Sequence, residues 1–174
     1  FPLKPHGELM ESLGVGDFVR AAKVSGAGFV YLKGGLAILD QALMRFAIDS
    51  LVTKGFTLVE PPLMLRREAY EGAVDLADFE TMMYQVSDTD LYMIATSEHP
   101  LVAMYMDEIL DENELPIKFV GLSTNFRKEI GSKGVDTKGL FRMHQFNKVE
   151  QIIICRPEDS WALHEELIGN AEAL

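Results

Sequence analysis

This 174-residue chain has very little cysteine and no long hydrophobic run. The single cysteine, Cys155, excludes an internal disulfide and any metal site built from several cysteines. No apolar stretch reaches membrane-spanning length, and no basic-then-apolar leader opens the chain. We therefore predict no membrane partner and a reducing, cytoplasmic location.

Basic residues are also scarce. Lysine and arginine number 16 against 27 aspartates and glutamates, so the net charge is −11. This charge is unfavourable for broad contact with a phosphate backbone, and a polynucleotide partner would need contacts from elsewhere. Three of the histidines, His99, His144 and His164, share no metal-ligand spacing, so we predict no metal held by protein ligands alone. The length and 48% hydrophobic content favour one domain with one core.

The most informative stretch is residues 125–151, NFRKEIGSKGVDTKGLFRMHQFNKVEQ. It predicts a strand, a glycine-rich turn and a return strand over 140–149. Period-2 alternation places one set on a single face of the return strand: Arg142, His144, Phe146, Lys148 and Glu150. If the two strands pair as a hairpin, Arg127 and Glu129 join that face. The alternative is a solvent-exposed hairpin with alternating salt bridges, which periodicity alone does not exclude.

The residue types on this face suit a particular pair of ligands. Arginine forks match phosphate oxygens, an aromatic ring offers a stacking surface for a base, and carboxylates hold an ammonium group. A pocket of this kind fits a nucleotide triphosphate and an amino acid.

Elsewhere, hydrophobic periodicity and turn residues predict the remaining elements. Helices are predicted over 8–13, 17–24, 36–54, 66–72, 101–110 and 159–174, with Asp17 as a helix cap. Strands are predicted over 29–32, 56–59, 117–123 and 152–155, and a hairpin joins 83–86 to 91–94. The helix over 36–54 is apolar on more than one side, so it needs more than one packing partner, and Gly55 is expected to end it in a left-handed conformation.

Three of these segments carry a resemblance to a known family. One segment resembles motif 2 of the class II aminoacyl-tRNA synthetases, in particular the seryl-tRNA synthetases. It consists of FRKE, a glycine-rich loop and GLFRMHQFNKVE. Thr96-Ser97-Glu98 resembles their TxE signature, although these residues also suit a helix start in capping style, and both roles can coexist. The helix, glycine, strand and prolines of 36–62 resemble motif 1.

The resemblance implies an α+β fold, the class II antiparallel sheet flanked by helices. No G-x-G-x-x-G follows a predicted strand, which independently disfavours a parallel dinucleotide-binding sheet. Residues 1–34 would form a linker leading into the catalytic domain, and residues 35–174 part of that domain. Motif 1 would cover about 36–62, TxE 96–98 and motif 2 about 119–151.

The resemblance also implies activation of L-serine by ATP to seryl-adenylate, followed by transfer to tRNA(Ser). Arg127 and Glu129 would be the catalytic residues. ATP would be bound by Arg127, Lys128, Glu129, Arg142, Met143 and Phe146. L-serine would be bound by Thr96, Glu98, Glu129 and Glu150. The alternatives are a paralogue that activates an amino acid for a non-tRNA acceptor and a binding module without catalysis.

Further expectations follow from the same resemblance. The 36–62 region would form a homodimer interface, and Mg²⁺ would accompany ATP with its main protein ligand beyond this chain, as would the family's third motif. We expect Glu150 to read the substrate hydroxyl. The alternative is that Glu150 forms a structural ion pair with Lys148 or Arg127. The Gly131 to Gly139 turn is expected to be poorly ordered until ATP or tRNA binds.

Overall fold

The computed structural model describes residues 3–75, 80–129 and 139–174. The helices are α1 (His6–Ser12), α2 (Phe18–Ser25), α3 (Gly34–Thr53), α4 (Arg67–Ala73), α5 (Glu98–Ala103) and α6 (Ser160–Ala173). The strands are β1 (Gly16–Asp17), β2 (Tyr31–Leu32), β3 (Thr57–Val59), β4 (Met64–Arg66), β5 (Leu91–Met93), β6 (Ile117–Phe126) and β7 (Gln145–Ile154). Most of the predicted glycine-rich turn, from Gly131 to Lys138, lies outside the described residues.

A three-stranded sheet in the order β3-β6-β7 forms the centre of the fold. Strands β6 and β7 pair antiparallel over their full length, from Ile117 opposite Ile154 to Phe126 opposite Gln145. The predicted pairing of the two long strands is therefore confirmed. Strand β3 runs parallel to β6, so the sheet is mixed, while β1 with β2 and β4 with β5 form small antiparallel pairs.

One face of this sheet packs against α3 and α6. Leu51 of α3, Phe56 and Val120 of β6 are almost fully buried and form a cluster. Partly buried apolar residues surround them: Val149, Ile153 and Leu167. A polar contact reinforces the packing, because Lys54 Nζ donates to Asn170 Oδ1 of α6 at 2.6 Å.

Helix α3 confirms the prediction of a broad apolar surface. Only Ile48 and Leu51 of this helix are buried in the chain. Five other apolar side chains on it are exposed by between 44% and 71%: Ile38, Leu39, Leu43, Phe46 and Val52. Gly55 follows the helix at φ +88°, the left-handed conformation expected of it.

The return strand predicted over 140–149 differs from its prediction. Strand β7 begins at Gln145, so Arg142 and His144 lie before it and the alternation does not extend to them. Alternation requires a paired neighbour, and β6 ends at Phe126 opposite Gln145. Beyond that pair, the Lys128 amide turns to the Met82 carbonyl oxygen at 2.9 Å.

Of two other predicted elements, one is confirmed and one changes. The predicted hairpin is present, because Gln85 bridges Tyr92, the Val86 amide donates to the Leu91 carbonyl oxygen at 2.9 Å and the Met93 amide donates to that of Tyr84 at 2.8 Å. Strand β5 also pairs with β4, which was not predicted. The helix predicted over 101–110 is instead the shorter α5, which starts at Glu98 and ends at Ala103. Pro100 is tolerated because it lies in the first turn, where its missing amide hydrogen leaves no helical bond unmade.

One smaller prediction, the helix cap at Asp17, is confirmed. The Asp17 carboxylate caps α2 by accepting from the Arg20 amide at 2.9 Å, as expected. In the parts of the chain that the structure describes, every helix is too short or too polar to cross a membrane.

Candidate active site

The second face of the sheet lies beneath α5, and a glycine sets the distance between them. A Cβ atom added at Gly121 would lie 2.7 Å from Ser97 Oγ and 2.9 Å from Leu101 Cδ1. Any larger residue would push α5 away from the sheet. Gly121 pairs with Glu150 across the strands, so the close approach brings the start of α5 over the Glu150 carboxylate.

Thr96, Lys148 and Glu150 form a closed polar network at this point. The Thr96 hydroxyl donates to Glu150 Oε2, and Lys148 Nζ forms an ion pair with the same oxygen. Lys148 Nζ also donates to Thr96 Oγ1 at 2.6 Å, and the Glu98 amide donates to it at 3.2 Å. The hydroxyl hydrogen and both lone pairs of Thr96 are thus all used. The ion pair foreseen as the alternative role for Glu150 is present, with Lys148.

Arg127 lies just beyond the end of β6 and is held by backbone and ring contacts. Its Nε donates to the Ala95 carbonyl oxygen at 3.1 Å, and its Cζ lies 5.1 Å from the centre of the Phe146 ring. A guanidinium over a ring face at this distance is a favourable cation–π contact. Arg127 and Phe146 are therefore brought together as predicted.

His144 was placed on the polar strand face by its spacing but was given no role in the predicted site. Its Nδ1 lies 2.9 Å from the Arg127 carbonyl oxygen and 2.7 Å from the Tyr84 hydroxyl. Its ring stacks on Phe29, and a Cβ on Gly28 would collide with it. His144 thus fixes the backbone that leads into Arg127. Its position in HQF could have suggested a role, but its partners come from distant segments.

The other predicted nucleotide residues are spread around this centre. Arg142 Nη1 lies 3.4 Å from Glu129 Oε2, and Arg142 is half-exposed. Lys128 Nζ lies 5.7 Å from the Tyr84 ring centre. Met143 is buried. The Glu129 charge and burial both raise the pKa of Tyr84, burial being the larger cause.

The residues predicted to bind serine include an exposed carboxylate, and a buried histidine lies beside them. The Glu98 side chain is exposed, so Glu98 meets the network through its backbone amide. His99 is 2% exposed, and burial lowers its pKa to about 4. The nearby positive charges of Lys148 and Arg127 are smaller causes of the same lowering, and the Glu150 charge opposes it.

A wide cleft on the sheet does not coincide with this polar cluster. It has a volume of about 530 Å³ and lies on the opposite face, against α3. Its lining includes Gln41, Met44, Leu122, Thr124 and Asn147. A smaller cleft of about 280 Å³ is lined in part by Met143 and Phe146, two of the residues predicted to bind ATP. Convergent charged groups, rather than cavity size, mark the candidate site.

Comparison with known proteins gives these residues a family. The model of the tRNA synthetase class II core domain (G, H, P, S and T) matches residues 79–174. The chain belongs to this family. The matched range contains Thr96, Glu98, Arg127, Phe146 and Glu150, the residues that the sequence had selected.

Individual class II relatives resemble the chain over nearly its whole length. A serine–tRNA ligase of Methanoregula boonei is 60% identical over 99% of the chain, which spans 40% of that protein. The crystal structure of seryl-tRNA synthetase from Pyrococcus horikoshii complexed with ATP matches at 55% identity and a TM-score of 0.94, over 99% of this chain and 39% of that one. The cytoplasmic serine–tRNA ligase from Naegleria fowleri in complex with AMP matches at 40% identity and a TM-score of 0.91, over 97% and 40%.

These likenesses confirm the resemblance and the α+β class II fold predicted from motif 2. The chain spans about 40% of the length of the relatives, so it corresponds to a part of such a protein.

Proposed function

We propose that the full protein containing this chain activates L-serine with ATP to form seryl-adenylate and then transfers the seryl group to tRNA(Ser). The observation that carries this proposal is the single sheet face on which Arg127 and Phe146 lie beside the Thr96, Lys148 and Glu150 network. Similarity to serine–tRNA ligases, and to structures of relatives with ATP and AMP, supports it.

The nucleotide half of the proposed site is built around Arg127. Its guanidinium would bind the α-phosphate, Phe146 would stack on adenine, and the Met143 backbone would contact the base. Glu129 and Arg142 lie next to one another at the edge of this group, where they and Lys128 would face the nucleotide. Arg127 is well suited to the role because its Nε bond to Ala95 fixes the guanidinium before a ligand binds.

The amino-acid half uses Thr96, Glu98, Glu129 and Glu150. Thr96 and the Glu98 carboxylate would hold the serine ammonium, Glu129 would lie near it, and Glu150 would accept from the serine hydroxyl. Alanine differs from serine by lacking that hydroxyl and fits any pocket that serine fits. Rejecting alanine therefore needs a polar group that stays unpaired when alanine binds, and Glu150 supplies one.

The reaction needs no general base, because the serine carboxylate is already ionised at neutral pH. A carboxylate oxygen would attack the α-phosphorus of ATP, the new oxygen–phosphorus bond forming as the bond to pyrophosphate breaks. The chain's own contribution is to position the two reactants and to stabilise the charge on phosphate through Arg127.

Mg²⁺ would accompany ATP in this proposal. The described ranges contain no group of three histidine, cysteine, aspartate or glutamate side chains placed to hold a metal ion. The ion would therefore rely on phosphate oxygens and on ligands outside these ranges. Its charge would offset that of the triphosphate. The cytoplasmic location and the division at residue 35 stay predictions.

Replacing Glu150 with alanine tests the proposal. In the full protein, Glu150→Ala should lower kcat/KM for serine-dependent ATP–pyrophosphate exchange by about 2 kcal/mol or more, the scale of a lost charged hydrogen bond. Alanine-dependent exchange should change much less, because alanine has no hydroxyl to lose.

Glu166→Ala is the matched control, since Glu166 also pairs with a half-buried lysine, Lys118, but on the opposite face of the sheet. This variant should leave serine exchange unchanged. If Glu150→Ala lowers exchange with both amino acids by the same factor, the hydroxyl is recognised elsewhere. No serine-dependent exchange by the wild-type protein would refute the proposal itself.

The proposed enzyme is a homodimer through the 36–62 region. The exposed apolar side chains of α3 support this, because a contiguous apolar surface on a helix calls for a second partner. Sedimentation of the full protein at tens of micromolar, a rough working range for weak interfaces, should show a dimer. Leu43→Glu with Phe46→Glu should shift it to a monomer, and a monomeric wild type would contradict the proposal.

A further inference from the structure

Lys148 makes contacts that resemble those of a bound amino-acid ammonium. Its Nζ donates to Thr96 Oγ1 at 2.6 Å and forms an ion pair with Glu150. Thr96 is the residue proposed for the serine ammonium and Glu150 the residue proposed for its hydroxyl. An alkylammonium tethered to strand β7 therefore uses the same two oxygens that the substrate requires.

Hydrogen-bond capacity makes the two uses exclusive. Thr96 Oγ1 already accepts from Lys148 Nζ and from the Glu98 amide, so both of its lone pairs are used. A second ammonium at Thr96 must replace the Lys148 ammonium or lie beside it. Two positive charges at about 4 Å repel each other strongly in a partly buried site.

The Lys148 side chain has a route out of the site. It is 29% exposed and Glu150 is 21% exposed, so these two side chains lie at the mouth of the site, above the buried Thr96. A long flexible lysine stem can swing its ammonium into solvent at little cost. The neighbouring His99 cannot replace it as a cation, because burial lowers its pKa to about 4 and keeps its ring neutral at neutral pH.

We propose that Lys148 acts as an internal competitor, a tethered ammonium that closes the amino-acid subsite over Thr96 and Glu150 until the substrate ammonium displaces it. This inference rests on the proposed activation of serine. It makes Lys148 a determinant of amino-acid affinity and selectivity. Only a ligand whose ammonium and hydroxyl together satisfy Thr96 and Glu150 compensates for breaking the lysine contacts.

The test compares Lys148→Met with wild type in the full protein, using serine-dependent ATP–pyrophosphate exchange. Methionine keeps an unbranched side chain and removes the charge. If the closed form has about 90% of the population, removing it should lower the KM for serine about tenfold. The KM for ATP should stay constant. L-Glycerate carries a neutral hydroxyl in place of the ammonium, so it need not displace the Lys148 ammonium and should not become a stronger competitive inhibitor.

Lys118→Met is the matched control, because Lys118 forms a similar half-buried pair with Glu166 on the other face. It should leave the KM for serine unchanged. Lys148→Gln serves as a second neutral variant if the methionine variant does not fold, and it should also lower that KM.

The outcomes separate the two proposals. A KM for serine that is unchanged or raised in both neutral variants, with wild-type exchange intact, overturns the role of Lys148 and leaves serine activation standing. A parallel gain in glycerate inhibition also overturns it, because the competition would then not concern the ammonium. A wild-type protein without serine-dependent exchange overturns both.

Discussion

The two faces of the β3-β6-β7 sheet differ in what they bury. The face beneath α3 and α6 buries Leu51, Phe56 and Val120, which need only close packing. The face beneath α5 buries polar groups, among them Thr96, Ser123 and Asn125. Strand alternation assigns neighbouring residues of β6 and β7 to opposite faces, so the same two strands build both.

The difference indicates how stability and binding are divided in this chain. Apolar burial on the α3 face gains free energy without directional requirements. On the α5 face each buried polar atom needs a partner, and those partners also fix the directions of Thr96 and Glu150. The α3 face therefore supplies most of the stability, and the α5 face holds its polar groups in fixed directions, as the proposed site requires.

A cavity made in the core on the α3 face should have the largest effect on the free energy of unfolding. Leu51 is 1% exposed, and Leu51→Ala leaves a cavity beside Val120. We expect the free energy of unfolding to fall by about 2–5 kcal/mol. Urea denaturation followed by circular dichroism measures it. A loss below about 1 kcal/mol, the size typical of a surface change, would show that this cluster is not the core.

The sequence predicted the α5 face where strand pairing holds and failed where it stops. Phe146, Lys148 and Glu150 share a face as their period-2 spacing requires. His144 and Arg142 have the same spacing but lie beyond the last paired residue of β6, so their directions depend on Gly28, Tyr84 and Glu129. Such long-range partners leave no periodic signal.

Other elements show the same limit. Helix α3 was predicted to within two residues because twenty residues repeat its apolar pattern. Strand β4 is three residues long and follows two prolines, so it has too few positions to show alternation. The Lys148 contact with Thr96 joins residues 52 positions apart, so it could be recognised only in the folded structure.

A fall in pH should have the next largest effect on stability, through the buried His99 of α5. The pKa of His99 in the folded chain is lowered from 6.5 to about 4 by burial, so the unfolded chain takes up this proton first. The contribution to stability is therefore complete above pH 6.5 and is lost as the pH falls toward 4. The loss is at most about 3 kcal/mol over that interval.

The measurement is the free energy of unfolding from urea titrations at several pH values in this interval. His99→Gln removes the titrating group and keeps a polar side chain, so its stability should depend less steeply on pH. Carboxylates contribute equally to both proteins and cancel in the comparison. Equal slopes for wild type and variant would mean that His99 takes up its proton at the same pH in the folded and the unfolded chain.

The smallest expected effect comes from two neighbouring hydroxyls that point to opposite faces. Ser123 Oγ donates to Asn125 Oδ1 at 2.8 Å, and both residues are buried on the α5 face. Thr124 Oγ1 donates to Asn147 Oδ1, also at 2.8 Å, but that bond is exposed on the α3 side. The two bonds match in type and length and differ in burial.

Removing each hydroxyl in turn shows how much the contribution of such a bond to the free energy of unfolding depends on its burial. Ser123→Ala leaves Asn125 Oδ1 without its donor and should cost about 1–2 kcal/mol, since no water replaces the lost partner in a buried site. Thr124→Val keeps the branched shape, and water replaces the donor to Asn147, so its cost should stay below about 0.5 kcal/mol.

Urea titrations of the two single variants and the double variant measure both values. The costs should add in the double variant, because the hydroxyls share no partner. Equal costs for the two single variants would mean that water reaches Asn125, and the α5 face would then not be the dry, preorganised side of the sheet.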